Sequence, residues 1–138
     1  MIGGSCLCGA VRFAAERGSG IVVCHCSMCR KAAGGAFGAF FVALRDEVTW
    51  EGAEHLSVYR SSPGLERAFC KHCGTAMTGA NLTEPDETII LAASALDNDG
   101  SLRVIAVEHA AAKATWSEGS EEVPHFDGPY PGWEKLRP

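Results

Sequence analysis

Apolar positions along the chain recur in short runs and alternations, not in long stripes at helical spacing. Leu7 to Phe13, Gly20 to Val23, Ala36 to Leu44, Val48 to Trp50, Leu56 to Arg60, Leu65 to Phe69, Thr75 to Thr78, Thr88 to Ala93 and Leu102 to Glu108 each read as a strand. Turn chemistry separates them, most clearly at Ser61-Ser62-Pro63-Gly64, Glu84-Pro85-Asp86 and Asn98-Asp99-Gly100. One segment, Ser27 to Ala33, reads as a helix, because serine starts a helix well and Gly34-Gly35 stop it. The pattern predicts a mostly β chain with one short helix. From Glu118 three prolines precede Trp133 and one ends the chain, so 118–138 is expected to be an irregular tail wrapped over the body. No repeat or linker divides the chain, and 1–138 reads as a single domain.

Composition and charge exclude several classes of function. A chain of 138 residues can bury roughly two-thirds of the surface its unfolded form exposes, enough for a true core. No apolar run approaches the ~20 residues that span a bilayer, so no membrane partner is expected. Met1-Ile2-Gly3-Gly4-Ser5 carries neither a basic nor an apolar segment and does not read as a secretory signal, which predicts a cytoplasmic protein. Twelve Lys and Arg against seventeen Asp and Glu give a net charge of -5. That is the wrong sign for a sequence-independent phosphate binder, and nucleic acid is not an expected partner.

The seven cysteines change the picture most. Their number is odd and no export signal precedes them, which argues against a disulfide framework and for metal. None stands alone: Cys6 and Cys8 form C-x-C, Cys24, Cys26 and Cys29 form C-x-C-x-x-C, and Cys70 and Cys73 form C-x-x-C. Closely spaced cysteines on a tight turn let sulfurs converge on one zinc, which prefers four tetrahedral N or S ligands, at little cost in chain entropy. Gly9 and Gly74 directly follow cysteines, where a positive φ would let the turn curl and face N–H groups toward sulfur.

Seven divides as four plus three, in one of two ways. Either Cys6, Cys8, Cys70 and Cys73 close one site, or the two C-x-x-C pairs do, namely Cys26, Cys29, Cys70 and Cys73. Spacing does not choose between them; loop closure favours the first, which keeps Cys24, Cys26 and Cys29 as one local cluster. Four protein ligands describe a structural zinc, and three with a vacancy the usual catalytic one. Three thiolates and one Zn²⁺ sum to -1, so such a zinc is a poorer Lewis acid than one on three histidines and suits an incoming thiol better than water. Arg30, Lys31 and Lys71 lie next to these cysteines, where each could offset the charge. Histidine competes for the vacancy: His25, His72 or His109 could close the second site. Hydrogen bonding behind the ligands is the expected role for His25 and His72, and a surface place for His55 and His125.

The residues themselves resemble a known family. Gly4-Ser5-Cys6-Leu7-Cys8-Gly9-Ala10-Val11-Arg12-Phe13, Cys24-His25-Cys26-Ser27-Met28-Cys29-Arg30-Lys31 and Phe69-Cys70-Lys71-His72-Cys73-Gly74-Thr75 are similar, in order and spacing, to the glutathione-dependent formaldehyde-activating enzyme and centromere protein V family. The likeness runs from Gly4 to about Phe126 and extends to Ser61-Ser62-Pro63-Gly64, Ala95-Leu96-Asp97, Glu108-His109 and Lys113-Ala114-Thr115-Trp116. It implies a β-tent of twisted antiparallel sheets clasped by a four-cysteine zinc site. Carried over residue by residue, it puts Cys6, Cys8, Cys70 and Cys73 on a structural zinc and Cys24, Cys26 and Cys29 on a second, catalytic and more labile zinc. The implied activity is that of a carbon–sulfur lyase joining glutathione and formaldehyde as S-hydroxymethylglutathione, with Arg30 and Lys31, and also Arg67, as anchors for the substrate's carboxylates. Ala110-Ala111-Ala112 departs from the larger residues the family often carries there. Two other classes compete: a non-enzymatic zinc module that binds a partner, and a redox enzyme on a similar zinc-clasped sheet, such as a methionine sulfoxide reductase. The second needs a free thiolate, which seven metal-bound cysteines do not leave.

Overall fold

Residues 1–80, 87–98 and 102–136 are described in the computed structural model of the chain. Ten strands and one α-helix follow one another as β1 (Ile2–Ser5), β2 (Arg12–Ala15), β3 (Ile21–Cys24), α1 (Ser27–Ala33), β4 (Gly38–Leu44), β5 (Val48–Glu51), β6 (Leu56–Ser62), β7 (Leu65–Cys70), β8 (Thr78–Ala80), β9 (Thr88–Ala92) and β10 (Val104–Glu108). Among the described residues they form three small sheets: β1-β2-β5, β10-β3-β4-β9-β8, and the hairpin β6-β7. All pairs are antiparallel except β10 with β3, which run parallel. The fold is mostly β, small and single-domain, with one short helix.

The core lies between the three-stranded and the five-stranded sheet. Phe13 on β2 meets Phe41 on β4 at a ring separation of 6.3 Å and Trp50 on β5 at 5.7 Å. Val11, Phe41, Met77, Ile89 and Leu91 are almost wholly buried around them. Side chains of this size each contribute about 1.5–3 kcal/mol on leaving water. Cys6 and Cys70 belong to the same cluster, so the closing metal turn is continuous with the core.

Most elements fall where the apolar pattern predicts them, α1 over its full expected range. Three segments differ. β1 was not among the expected strands; a glycine is required at position 4 since the Phe13 ring and the Ala95 carbonyl occupy the space a side chain would need. Leu7–Phe13 is strand only at Arg12 and Phe13, because the backbone before it is spent on a turn: Cys6 N–H donates to the Val11 carbonyl (2.9 Å) and Gly9 N–H to that of Cys6 (2.9 Å). Within Thr75–Thr78 only Thr78 starts a strand, Ala76 making a lone bridge to Phe69. Pro63-Gly64 closes the β6-β7 hairpin as expected. Glu84-Pro85-Asp86, and Asp99-Gly100 of the other expected turn, lie outside the described residues.

The tail does not wrap the body. Its described side chains from 118 to 136 are exposed, with short 3-10 turns at Ser120–Glu122 and Trp133–Lys135 and a local aromatic run Phe126–Tyr130–Trp133. No helix among the described residues is long and apolar enough to cross a membrane.

Candidate functional site

Two turns far apart in sequence supply the first cluster. Cys6 to Val11 leaves β1, and Cys70 to Thr75 leaves β7; each is closed by a glycine at φ 76°, Gly9 and Gly74. Gly74 N–H donates to the Cys70 carbonyl (2.8 Å) and Cys70 N–H to that of Thr75 (3.0 Å). The turns are tied together by Leu7 N–H on the Thr75 hydroxyl (3.0 Å). The result brings the sulfurs of Cys6, Cys8, Cys70 and Cys73 within 4.8 Å of one another.

Four sulfurs this close cannot share negative charge without a cation among them. Cys73 is held down to about 5 by the Thr75 hydroxyl and by the N–H groups of Thr75 and Cys8. Cys8 moves the other way: the Ala10 N–H favours its thiolate, but the sulfur of Cys6, burial, and the sulfurs of Cys73 and Cys70 push it up to about 11. At Cys6 burial is outweighed by hydrogen bonds from Val11 N–H (3.3 Å), Cys8 and Cys70, and the thiol is lowered. All seven cysteines are free thiols. Four convergent sulfur donors, with Cys6 and Cys73 favoured as thiolates and no disulfide between them, fit a divalent metal.

The second cluster is local. Cys24 ends β3, Cys26 caps α1, and Cys29 lies in its first turn, and their sulfurs also converge within 4.8 Å. Cys26 does what a serine cap does: its sulfur accepts from Cys29 N–H at 3.3 Å. Burial opposes ionisation of Cys26, yet the Cys29 N–H and the sulfurs of Cys24 and Cys29 lower it overall. Burial pushes Cys24 strongly up, aided by the sulfurs of Cys29 and Cys26 and the Glu108 carboxylate against the Cys26 N–H. A third group overlaps this one: donor atoms of Cys24, Glu108 and His109 lie within 4.8 Å of one another.

The cation at the trio is one the local sequence did not place beside it. Arg67, on β7 and only 7% exposed, points Nη2 at Cys29 Sγ (3.7 Å) while its Nε donates to Ser61 Oγ (3.0 Å). It makes no ion pair with a described carboxylate. Arg30 instead donates through Nε to the His25 carbonyl (3.1 Å), Lys31 is exposed, and Lys71 donates to the Glu54 carbonyl (3.0 Å). His72 and His55 face each other at 3.1 Å. His25 is buried with its ring edge on Phe37, and its Nδ1 has no hydrogen-bond partner, so it does not support a ligand as expected.

Beside the trio lies a cavity of about 310 Å³ between α1, β4, β7 and the β8-β9 pair. Its lining is mainly small and apolar, including Ala32, Ala33, Ala39 and Phe40, with Arg67 the only charged side chain among the described residues. Arg30 and Lys31 do not line it. The tertiary signal for Arg67 was absent from its neighbours in sequence: it is an alternating position on a strand 38 residues from Cys29.

The chain is similar to known proteins. Residues 1–118 match the family model described as glutathione-dependent formaldehyde-activating enzyme. A protein of Halomonas elongata, provisionally named a glutathione-dependent formaldehyde-activating enzyme, is 39% identical over 110 residues, spanning 72% of this chain and 68% of its own. An uncharacterized lyase of Schizosaccharomyces pombe is 36% identical over 75 residues, 54% of this chain and 53% of its own. The crystal structure of a Rhodobacter sphaeroides protein superposes with a TM-score of 0.58 at 24% identity, covering 76% of this chain and 98% of that one, a likeness of fold. With its cysteine clusters assembled and its family model matched across nearly all of the described fold, the chain belongs to the glutathione-dependent formaldehyde-activating enzyme family.

Proposed function

We propose that the chain is a zinc-dependent carbon–sulfur lyase that joins glutathione and formaldehyde as S-hydroxymethylglutathione. In this reading Cys6, Cys8, Cys70 and Cys73 hold a structural zinc, and Cys24, Cys26 and Cys29 hold a catalytic one. The observation that carries it is a trio of converging sulfurs joined to an apolar cavity through Arg67, which lines the cavity and touches Cys29. Zinc at the trio supplies a position where an incoming thiol gives up its proton near neutral pH. Arg67 offsets the negative charge gathered at Cys29 and leaves further N–H donors to meet a substrate carboxylate. It is better placed for that than Arg30 or Lys31, because Arg67 lines the cavity and they do not. The cavity's mainly small, apolar lining leaves Arg67 in surroundings that strengthen its charge interactions.

The chemistry balances without an oxidant. A sulfur lone pair forms the new C–S bond to the carbonyl carbon, the C=O π pair moves to oxygen, and oxygen takes up a proton in place of the one the thiol released. Holding sulfur and carbonyl together supplies the proximity term. Because the adduct also forms unaided, catalysis appears as faster equilibration. Exchange spectroscopy with ¹³C-formaldehyde and glutathione should show the zinc-loaded protein accelerating exchange between free and adduct carbon. Cys29→Ser should abolish the acceleration while the four-cysteine metal remains, and Arg67→Met should raise KM for glutathione more than it lowers kcat. A fully metal-loaded protein that accelerates nothing would sink this reading in favour of a zinc-stabilised binding module.

A further inference from the structure

The chain turns sharply just where β10 ends. His109 has φ 51° and ψ 38°, and it is the one non-glycine residue with positive φ among those described. Histidine enters this region more readily than most residues, but the conformation still costs free energy and persists where surrounding structure holds it. The holding is visible. β10 runs parallel to β3 with Glu108 opposite Cys24, and His25 N–H donates to the Glu108 carbonyl at 3.2 Å.

That register brings two donor side chains from the far end of the sequence to Cys24, the member of the trio at which the two groups overlap. Glu108, His109 and Cys24 lie within 4.8 Å of one another, and Cys24 is also within 4.8 Å of Cys26 and Cys29. Zinc in a tetrahedral site takes four ligands. Charge separates the two candidates: a carboxylate beside three thiolates would bring the site to -2, whereas a neutral imidazole leaves it at -1. Among the described residues, Arg67 is the cation hydrogen-bonded to a trio sulfur. Imidazole is also the better match to thiolate-rich zinc. Both residues are exposed, so the ligand can leave without disturbing the core.

We infer that the His109 imidazole is the resident fourth ligand of the trio metal, and that a substrate thiol displaces it. The inference rests on the reading of Cys24, Cys26 and Cys29 as a metal site. In the exchange a thiolate enters, the neutral imidazole leaves, and the thiol's proton goes to solvent. The resting site is then closed, and the working site is opened by the substrate itself. Glu108 holds the register and stays off the metal.

The test uses the full chain with zinc on the four-cysteine site and cobalt on the trio. Cobalt-edge X-ray absorption should show three sulfurs and one nitrogen with the outer-shell scattering of an imidazole ring. His109→Asn, which keeps a residue tolerant of this backbone, should lose that scattering and shift the visible cobalt bands, and His109→Gly should do the same. Trio affinity should fall on the order of 10- to 100-fold, as it does even when a ligand's supporting partner is removed. Glu108→Gln should leave the imidazole signature in place. Excess glutathione should replace nitrogen by a fourth sulfur in the wild type. Cobalt bound with three sulfurs and no imidazole, or imidazole scattering that survives in both His109 variants or after glutathione binds, overturns the inference and leaves the proposed function standing. Failure of the trio to take up metal in any form overturns both.

Discussion

Single residues here do work that their type alone does not announce. Cys26 is at once a metal-ligand candidate and the helix cap, so the N–H of Cys29 that satisfies a helix end also favours the thiolate. Gly74 sits at φ 76° with nothing within 4 Å of where a side chain would begin. Gly74→Ala therefore adds backbone strain and no clash, about 1–2 kcal/mol. Thermal melting should fall by several degrees, and a competing chelator should strip the four-cysteine metal more readily than in the wild type. An unchanged melt would mean that the turn relaxes freely. Arg67 and His109 were named from the sequence, as an anchor and as a candidate ligand, but their contacts were not legible there. Both sit near the trio through strand pairing, 38 and 80 residues from Cys29, and no local spacing encodes that.

Among the elements, α1 and most central strands follow from local signals, a glycine stop and alternation bounded by turns, although the helix cap is Cys26 and not the expected Ser27. Where the strand pattern failed, backbone hydrogen bonds had a competing use. Leu7 to Val11 is apolar enough for a strand, but its N–H and carbonyl groups close a metal turn. β10 is an edge strand whose Val104, Ile105 and Val107 are exposed, so its place comes from pairing with β3 and not from burial. Beyond it the described tail side chains touch solvent. A chain ending at Glu118 should accordingly keep its melting temperature within about a degree and bind metal with the same stoichiometry, since tolerance of truncation follows burial. A marked loss of stability would show that the tail packs in solution.

At the level of the whole molecule, the four-cysteine cluster joins the turn after β1 to the turn after β7 and is continuous with the core, whereas the trio is confined to one strand-to-helix junction. The two metals should therefore leave unequally. Under graded chelation one equivalent should depart while circular dichroism stays native. The second should leave only with unfolding, because a structural zinc contributes on the order of 10 kcal/mol or more to the folded state. Simultaneous loss of both would contradict two roles. The sequence by itself determined the class of fold, the grouping of the cysteines in motifs that could hold a metal, and the family, because cysteine spacing on tight turns and strand alternation are local properties. Which cysteines share a cluster was open on spacing alone, and only the tertiary structure brought Cys6 and Cys8 to Cys70 and Cys73. It also decided that the charge beside Cys29 is Arg67 and that Glu108 and His109 stand next to Cys24, for a physical reason: strand register sets contacts between residues far apart in the chain, and no window of sequence contains it.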